Sequence, residues 1–495
     1  MKKKTNKREY IKKPSYKSVL RASVITDDDA EQIHLATLKV LNDTGVQVGS
    51  LEAAKLFEEN GATVEYRGDI AIVKMPPYMV EEAIKTAARP LTFYGRVPEK
   101  DFTAYKHSVS LTNFGETVSI IDLESKEHRD STKLDNYEFV KVCDYLDEIT
   151  VVDRPFVCTD YPSSVQALHN LQACMEGTSK SIFIGAANKD NCIRMIDMAA
   201  VAVGGMDVLK ARPFLNIWVC PTSPLEIAKE CCEISTECAK AGVTTACISM
   251  AMAGATSPVT LAGTVVQHNA EVLSVLVLTQ LVKKGARFIY CSMSTLMDLK
   301  TAQGACGAYE QAMLTSALSK MAQRYDLPTY MGCALSDSKV PDAQVGYEAT
   351  RNMMTAAIGG VNFIEGAGAL EFGLTMDYAK LVMDCEVMAG IYPMLKGMEV
   401  NEETLAVELM QKVGPTGEFL TQKQTTAYMS TQSKGDCFDR RTRGRWTSEG
   451  CDNAADKAYA KAKWILENHQ VAPMVPGAKE QIEEMIKGYE KELGV

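Results

Sequence analysis

The sequence predicts an α/β protein: a closed (β/α)8 TIM barrel with an N-terminal αβ segment and a C-terminal helical extension. Three observations carry this. From about residue 108, eight β-rich runs alternate with longer helical patterns: "SVSLTNFG" (108–115), "ITVVDRPFVCTDYP" (149–162), "KSIFIGAA" (180–187), "PFLNIWVCPTSP" (213–224), "VTTACISMAMAGATSP" (243–258), "ARFIYCSMSTLMD" (286–298), "PTYMGCALSDSK" (328–339) and "VNFIEGAGALEFG" (361–373). From the second run onward the starts are spaced 31, 33, 30, 43, 42 and 33 residues, each room for one crossover helix and two loops. No Gly-x-Gly-x-x-Gly or GKS/GKT loop follows a strand, which disfavours an open doubly wound sheet.

Before the barrel, residues 1–107 comprise a basic leader, an amphipathic helix from Asp27 to Val48 opened by "TDDD", and a further αβ segment to about Arg96. The barrel is expected over 108–375, its first crossover interrupted by a hairpin in "TVSIIDLESKEHRD" before a helix from Lys133. Residues 376–495 read as helices flanking the barrel, with a loop at "GDCFDRRTRGRW" (435–446). The uncharged stretch Ala241 to Gln267 approaches membrane-spanning length, but "GATSP" (254–258) divides it into strand, loop and helix start. The expectation is therefore a soluble protein with no membrane segment.

With 495 residues and a net charge of −10, the chain can bury a large core and is a poor candidate for nucleic-acid binding. Residues 1–21 hold nine Lys/Arg and one Glu, leaving the remainder near −18; such a leader reads as a solvated tail. Fifteen cysteines without a secretory h-region or a paired CxxC pattern indicate reduced thiols in a cytoplasm.

Barrel chemistry gathers where strand C-terminal ends meet the βα loops. The polar cluster Ser336, Asp337, Ser338 and Lys339 falls there, beside Asp160–Tyr161, Thr222–Ser223, Thr256–Ser257, Asp298 and Glu365. No nucleophile elbow, HExxH or Walker loop accompanies them. Met, aromatic and small polar residues suit a soft organic cation instead, since aromatic faces attract quaternary ammonium. Phe114, Tyr161, Trp218, Tyr290, Tyr330 and Phe372 are the candidate cage, each also explicable as core packing. Lys339 is a candidate Schiff-base lysine, or an ion-pair partner of Asp337. His268 is the only histidine close behind a strand-end loop.

Three segments resemble the trimethylamine:corrinoid methyltransferase family: "CPTSPLEIAKECCEI" (220–234), "SMAMAGATSPVTLAGTVVQHNAEVL" (249–273) and "SDSKVPDAQVGYE" (336–348). "NEETLAVELMQKVGPTGEFL" (401–420) and "DRR" (439–441) are similar to its C-terminal region, and the likeness spans residues 27–470. The archaeal trimethylamine enzymes carry pyrrolysine immediately before the Ser-Asp-x-Lys stretch; here that position is Leu335. The resemblance thus implies the branch without pyrrolysine, which demethylates quaternary amines such as glycine betaine, proline betaine, carnitine and γ-butyrobetaine. A quaternary nitrogen already carries its charge, so losing a methyl group expels a neutral tertiary amine with no general acid. The implied nucleophile is cob(I)alamin on a separate corrinoid protein, docked by shape at the mouth with the loops after strands four and five as a collar. No metal bound directly by this chain is expected, and a homo-oligomer is.

On this reading Leu335, Asp337 and Glu365 lie at the reaction centre, Leu335 in a loosely packed mouth position. A betaine carboxylate needs donors, for which Lys339, Arg154, His268, Asn269 and the hydroxyls Ser223 and Ser257 are candidates, the two serines also on the cofactor side. Two alternatives differ in kind. A zinc-dependent corrinoid methyltransferase would draw ligands from Cys220, Cys247, Cys291 and Glu365; a non-catalytic homologue would bind a quaternary amine without transferring methyl.

Overall fold

The computed structural model describes residues 22–106, 108–433 and 435–495, so the basic leader lies outside the described residues. Each of the eight runs contributes one barrel strand: β1 (Ser110–Asn113), β2 (Val151–Asp153), β3 (Ser181–Gly185), β4 (Leu215–Val219), β5 (Thr244–Ser249), β6 (Phe288–Ser292), β7 (Thr329–Gly332) and β8 (Phe363–Ala367). All are parallel and almost wholly buried, as expected of strands covered on both faces. Pairing runs unbroken from β2 through β8 to β1.

The seam between β1 and β2 closes through a Leu111–Ile149 bridge and through one side chain. Asn113 Nδ2 donates to Asp153 O at 2.8 Å, and its Oδ1 accepts from Asp153 N at 3.0 Å. This buried amide replaces a pair of ladder bonds, because it carries both a donor and an acceptor in a fixed plane.

Eight crossover helices follow: α1 (Lys133–Tyr145), α2 (Ser163–Gly177), α3 (Lys189–Val203), α4 (Lys229–Ala241), α5 (Leu261–Val282), α6 (Tyr309–Arg324), α7 (Ala343–Gly359) and α8 (Tyr378–Lys396). Side chains of Thr132, Asn188, Asp342 and Asp377 accept from first-turn N–H groups and so cap α1, α3, α7 and α8. Ala241 to Gln267 is divided between the end of α4, β5, a loop and the start of α5, as expected. α5, the one described helix long and apolar enough to span a membrane, packs inside the protein with most of its residues buried.

The barrel floor is plugged by an antiparallel pair, Leu91–Phe93 with Phe102–Ala104. Phe93 meets Phe363 edge-on at 4.8 Å, and Phe102 lies 5.0 Å from Phe363, so the lumen is an aromatic core closed at this end. The N-terminal helix ends at Lys39, earlier than the sequence pattern suggested; 40–44 is a π-helical turn and Val46–Val48 joins a mixed four-stranded sheet. The hairpin before α1 is present as Ser119–Ile121 paired with His128–Asp130. Helix Ala454–Asn468 packs on α8 and α1, and Ala478–Leu493 on α2 and α3.

Candidate active site

Side chains alternate in and out along a strand, so four strands deliver one ring each to the lumen: Phe183, Trp218, Tyr330 and Phe363. Their centroids form a continuous group, with Phe183–Trp218 and Phe183–Tyr330 at 5.0 Å and Trp218–Tyr330 at 4.7 Å. The next layer toward the mouth holds two carboxylates. Asp153, at the end of β2, is 1% exposed and accepts from Trp218 Nε1 at 2.9 Å and from the Tyr330 hydroxyl. Glu365, on β8, is 3% exposed; it accepts from the Gly115 N–H, and its Oε2 has no hydrogen-bond partner.

Gly115 lies between the two carboxylates, at the end of β1. A Cβ there would stand 2.7 Å from Asp153 Cγ, so only glycine lets the backbone pass. Among the described residues, no cationic side chain forms an ion pair with either acid. Burial, with Glu116 adding to it, pushes Asp153 up to about 7 despite its two hydrogen bonds. Burial first, and the neighbouring Asp153 second, push Glu365 well above the carboxylate range. The nearest cation at the rim is Arg154, whose Nη2 pairs with Glu116 at 2.7 Å and whose buried Nε is unpartnered. Glu116 also accepts from Gly185 N at 3.0 Å.

Glu365 and four more of the predicted site residues share this mouth. Trp218 and Tyr330 lie in the lumen against Asp153, and Phe114 stands at the rim, its ring tip against Gly373. Phe372 is also at the rim, its ring closing on Gly304. The others are elsewhere. Tyr290 points out of the barrel, its hydroxyl between His268 Nδ1 at 3.0 Å and Asn269 Oδ1 on α5. His268 is wholly buried there; burial pushes it down to about 3, and it is neutral. Tyr161 stacks on His169 at 3.6 Å, beside an outer-wall groove of about 860 Å³ between α1, α2 and residues 471–483. Ser223 donates to Glu271 at 2.8 Å, and Ser257 shares a hydrogen bond with Thr264 at 2.9 Å.

The polar cluster after β7 does not point into the mouth; it braces a loop. Asp337 accepts from Cys306 N at 3.0 Å and Gly307 N at 2.8 Å, tying the β7–α7 loop to the β6–α6 loop. Glu348 on α7 accepts from Ser336 Oγ at 2.7 Å and Asp337 N at 2.9 Å. Lys339 is exposed and donates to the main-chain oxygen of Asp337, so neither the Schiff-base pocket nor the carboxylate ion pair expected for it is present.

Comparison with known proteins bears directly on this barrel. The family model for trimethylamine methyltransferase (MTTB) matches residues 2–494. The chain belongs to the trimethylamine methyltransferase family. It is 40% identical over 470 residues to the trimethylamine methyltransferase MttB of Desulfitobacterium hafniense strain DCB-2, covering 95% of this chain and 94% of that protein. The MttB of Methanosarcina barkeri strain Fusaro is 36% identical over 459 residues (91% and 92%). A glycine betaine methyltransferase of Desulfitobacterium hafniense strain Y51 is 30% identical over 486 residues (95% and 98%).

Leu335 follows β7 and is 1% exposed, packed against Gly366 and Gly373. A Cβ on Gly366 would stand 2.6 Å from Leu335 Cδ1, so the expected loose packing is replaced by tight closure. The backbone here is held from behind: Lys380 Nζ donates to Ala334 O at 2.7 Å and to Asp384 at 2.6 Å, and Asp384 accepts from Gly368 N at 3.0 Å. One buried ion pair thereby fixes the ends of both β7 and β8.

For the zinc alternative, Cys291 faces the lumen near Glu365 while Cys247 lies in the outer layer, so the four proposed ligands do not all share one side of the strand wall. Sequence reasoning missed Asp153, Glu116 and Gly115. The available signal was length: "ITVVDRPFVCTDYP" is too long for one barrel strand, and its first acid, rather than Asp160, marks the strand end.

Proposed function

We propose that this methyltransferase takes a methyl group from a quaternary amine, of betaine type, and passes it to the cob(I)alamin of a partner corrinoid protein in the cytoplasm. The observation that carries the reading is the pair of buried carboxylates, Asp153 and Glu365, set in an aromatic lumen without a cationic partner. Such a pair is costly unless a cation joins it. A quaternary ammonium brings a permanent charge and a greasy surface, and so satisfies the acids and the rings of Trp218 and Tyr330 together. Leu335 supports the same choice, because its side chain offers no electrophile to a neutral amine.

The corrinoid supplies the nucleophile. This chain's residues orient the N–CH₃ bond toward the mouth and keep water out, and no group has to protonate the departing tertiary amine. A betaine's carboxylate would meet Arg154 by displacing Glu116, since the other donors considered from sequence lie outside the lumen or are engaged there. The rim fits a cofactor delivered by a protein: Val118, Met250, Val259, Leu299, Val340 and Leu374, on the loops after β1 and β5 to β8, are 48–66% exposed. That collar shares the loop after β5 with the expected one, but runs on through β8 to β1 and does not include the loop after β4. Assembly into a homo-oligomer belongs to the same proposal.

The test is a panel of glycine betaine, proline betaine, carnitine, γ-butyrobetaine and trimethylamine, each incubated with the protein and cob(I)alamin. The expected result is consumption of cob(I)alamin and release of a tertiary amine with a quaternary substrate, at least about tenfold faster than any reaction of trimethylamine. Trimethylamine turnover at the faster rate contradicts the reading.

A further inference from the structure

We infer that Asp153 and Glu365 work as one exchange site, which holds a proton when empty and releases it as the substrate cation enters. The inference rests on the quaternary-amine reading and adds the means by which the lumen stays nearly neutral in both states. Two facts of geometry support it. The acids flank Gly115 from the two strands that border β1, and Glu365 Oε2 is left with no donor, as suits a carboxyl oxygen that alternates between protonated and ionised forms. Neither acid has an ion-pair partner among the described residues, so two protons, or one proton and a bound cation, offset their charges in this dry layer.

The surrounding groups point the same way. Asp153 faces the Trp218 indole N–H and the Tyr330 hydroxyl across the lumen, Glu116 and Arg154 at the rim, and Cys174 of α2 behind. Glu365 faces the Gly115 N–H, Asp153 and Glu116, with the thiols of Cys291, Cys306 and Cys333 around it. Arg154 is paired with Glu116, which leaves the two inner acids without a full counter-charge. The raised titration of both agrees with this arrangement. The balance is simple: the quaternary cation enters and one proton leaves to solvent. After methyl transfer the neutral tertiary amine departs, and the acids take a proton back.

The sign of the pH effect follows. The singly ionised pair is the binding form, and the ligand does not titrate, so affinity is lost as pH falls through about 7. The probes are tetramethylammonium and glycine betaine, titrated calorimetrically into the full chain at about pH 6 and about pH 8.5, in two buffers of different ionisation enthalpy. At the lower pH the expected result is close to one proton released per cation and a Kd about tenfold weaker than at the higher pH, in line with one titrating group. Asp153→Asn and Glu365→Gln are each expected to reduce both the proton release and the pH dependence, in variants whose circular dichroism matches the parent. Binding with equal heat in both buffers and a Kd independent of pH overturns the exchange while leaving the quaternary-amine reading intact. No binding of either probe at any pH removes both.

Discussion

Asp153→Asn is expected to lower kcat/KM for the quaternary substrate by at least about a hundredfold, mainly through KM. Asparagine has nearly the shape of aspartate; its oxygen can still accept from Trp218 Nε1, and its amide can donate to the Tyr330 hydroxyl oxygen, so the lumen keeps its packing. What disappears is the buried negative charge that meets the substrate cation in the bound state. Breaking one side of a buried charge pair costs about 3–5 kcal/mol, and a hundredfold loss corresponds to about 2.7 kcal/mol. The loss appears chiefly in KM, because the positive charge is present in the bound ground state and fades as the C–N bond breaks. Steady-state kinetics on a folded variant with cob(I)alamin and the best quaternary amine make the comparison. A change smaller than about twofold would place the counter-charge elsewhere.

The second large effect concerns stability. Lys380→Met removes the cation from an ion pair whose members are 0% and 3% exposed, leaving Asp384 buried with only the Gly368 N–H as donor. The expected destabilisation is about 3–5 kcal/mol, measured as a lowered denaturation midpoint with an unchanged slope. The same change frees Ala334 O, the carbonyl just before Leu335, so any residual folded enzyme should also turn over slowly. Removing both charges, as Lys380→Met with Asp384→Leu, should recover much of the stability, since no unpaired charge then remains. Turnover should recover less, because the anchor on Ala334 is still missing. A single Lys380→Met variant as stable as the parent contradicts this account.

The barrel was legible because its strands, buried on both faces, read as β-rich runs at regular spacing, and because helix-length gaps admit few other topologies. The same property hid the site. A strand buried on both faces shows no polar alternation, so nothing in "ARFIYCSMS" reveals that Cys291 faces the lumen while Tyr290 faces α5. In "LNIWV", likewise, Trp218 and its neighbours are equally apolar, yet only Trp218 reaches Asp153. The cluster at Ser336–Lys339 drew notice as a polar interruption in an apolar run. Its groups are spent on Glu348 and on two loop N–H groups, a local bracing function whose composition resembles that of a binding site. The decisive acids come from β2 and β8, more than two hundred residues apart, and only the closing of the barrel at Asn113 brings them together.

The central claim, that this lumen is built for a permanent organic cation, is tested most directly by comparing choline with 3,3-dimethylbutan-1-ol, its uncharged carbon counterpart of nearly equal shape. Calorimetric Kd values at about pH 8.5, where Asp153 is ionised, isolate the charge from size and greasiness. The account predicts that choline binds at least about thirtyfold more tightly, the roughly 2 kcal/mol of a desolvated cation–π contact, with the buried acids adding to it. Equal affinities for the two compounds would contradict it.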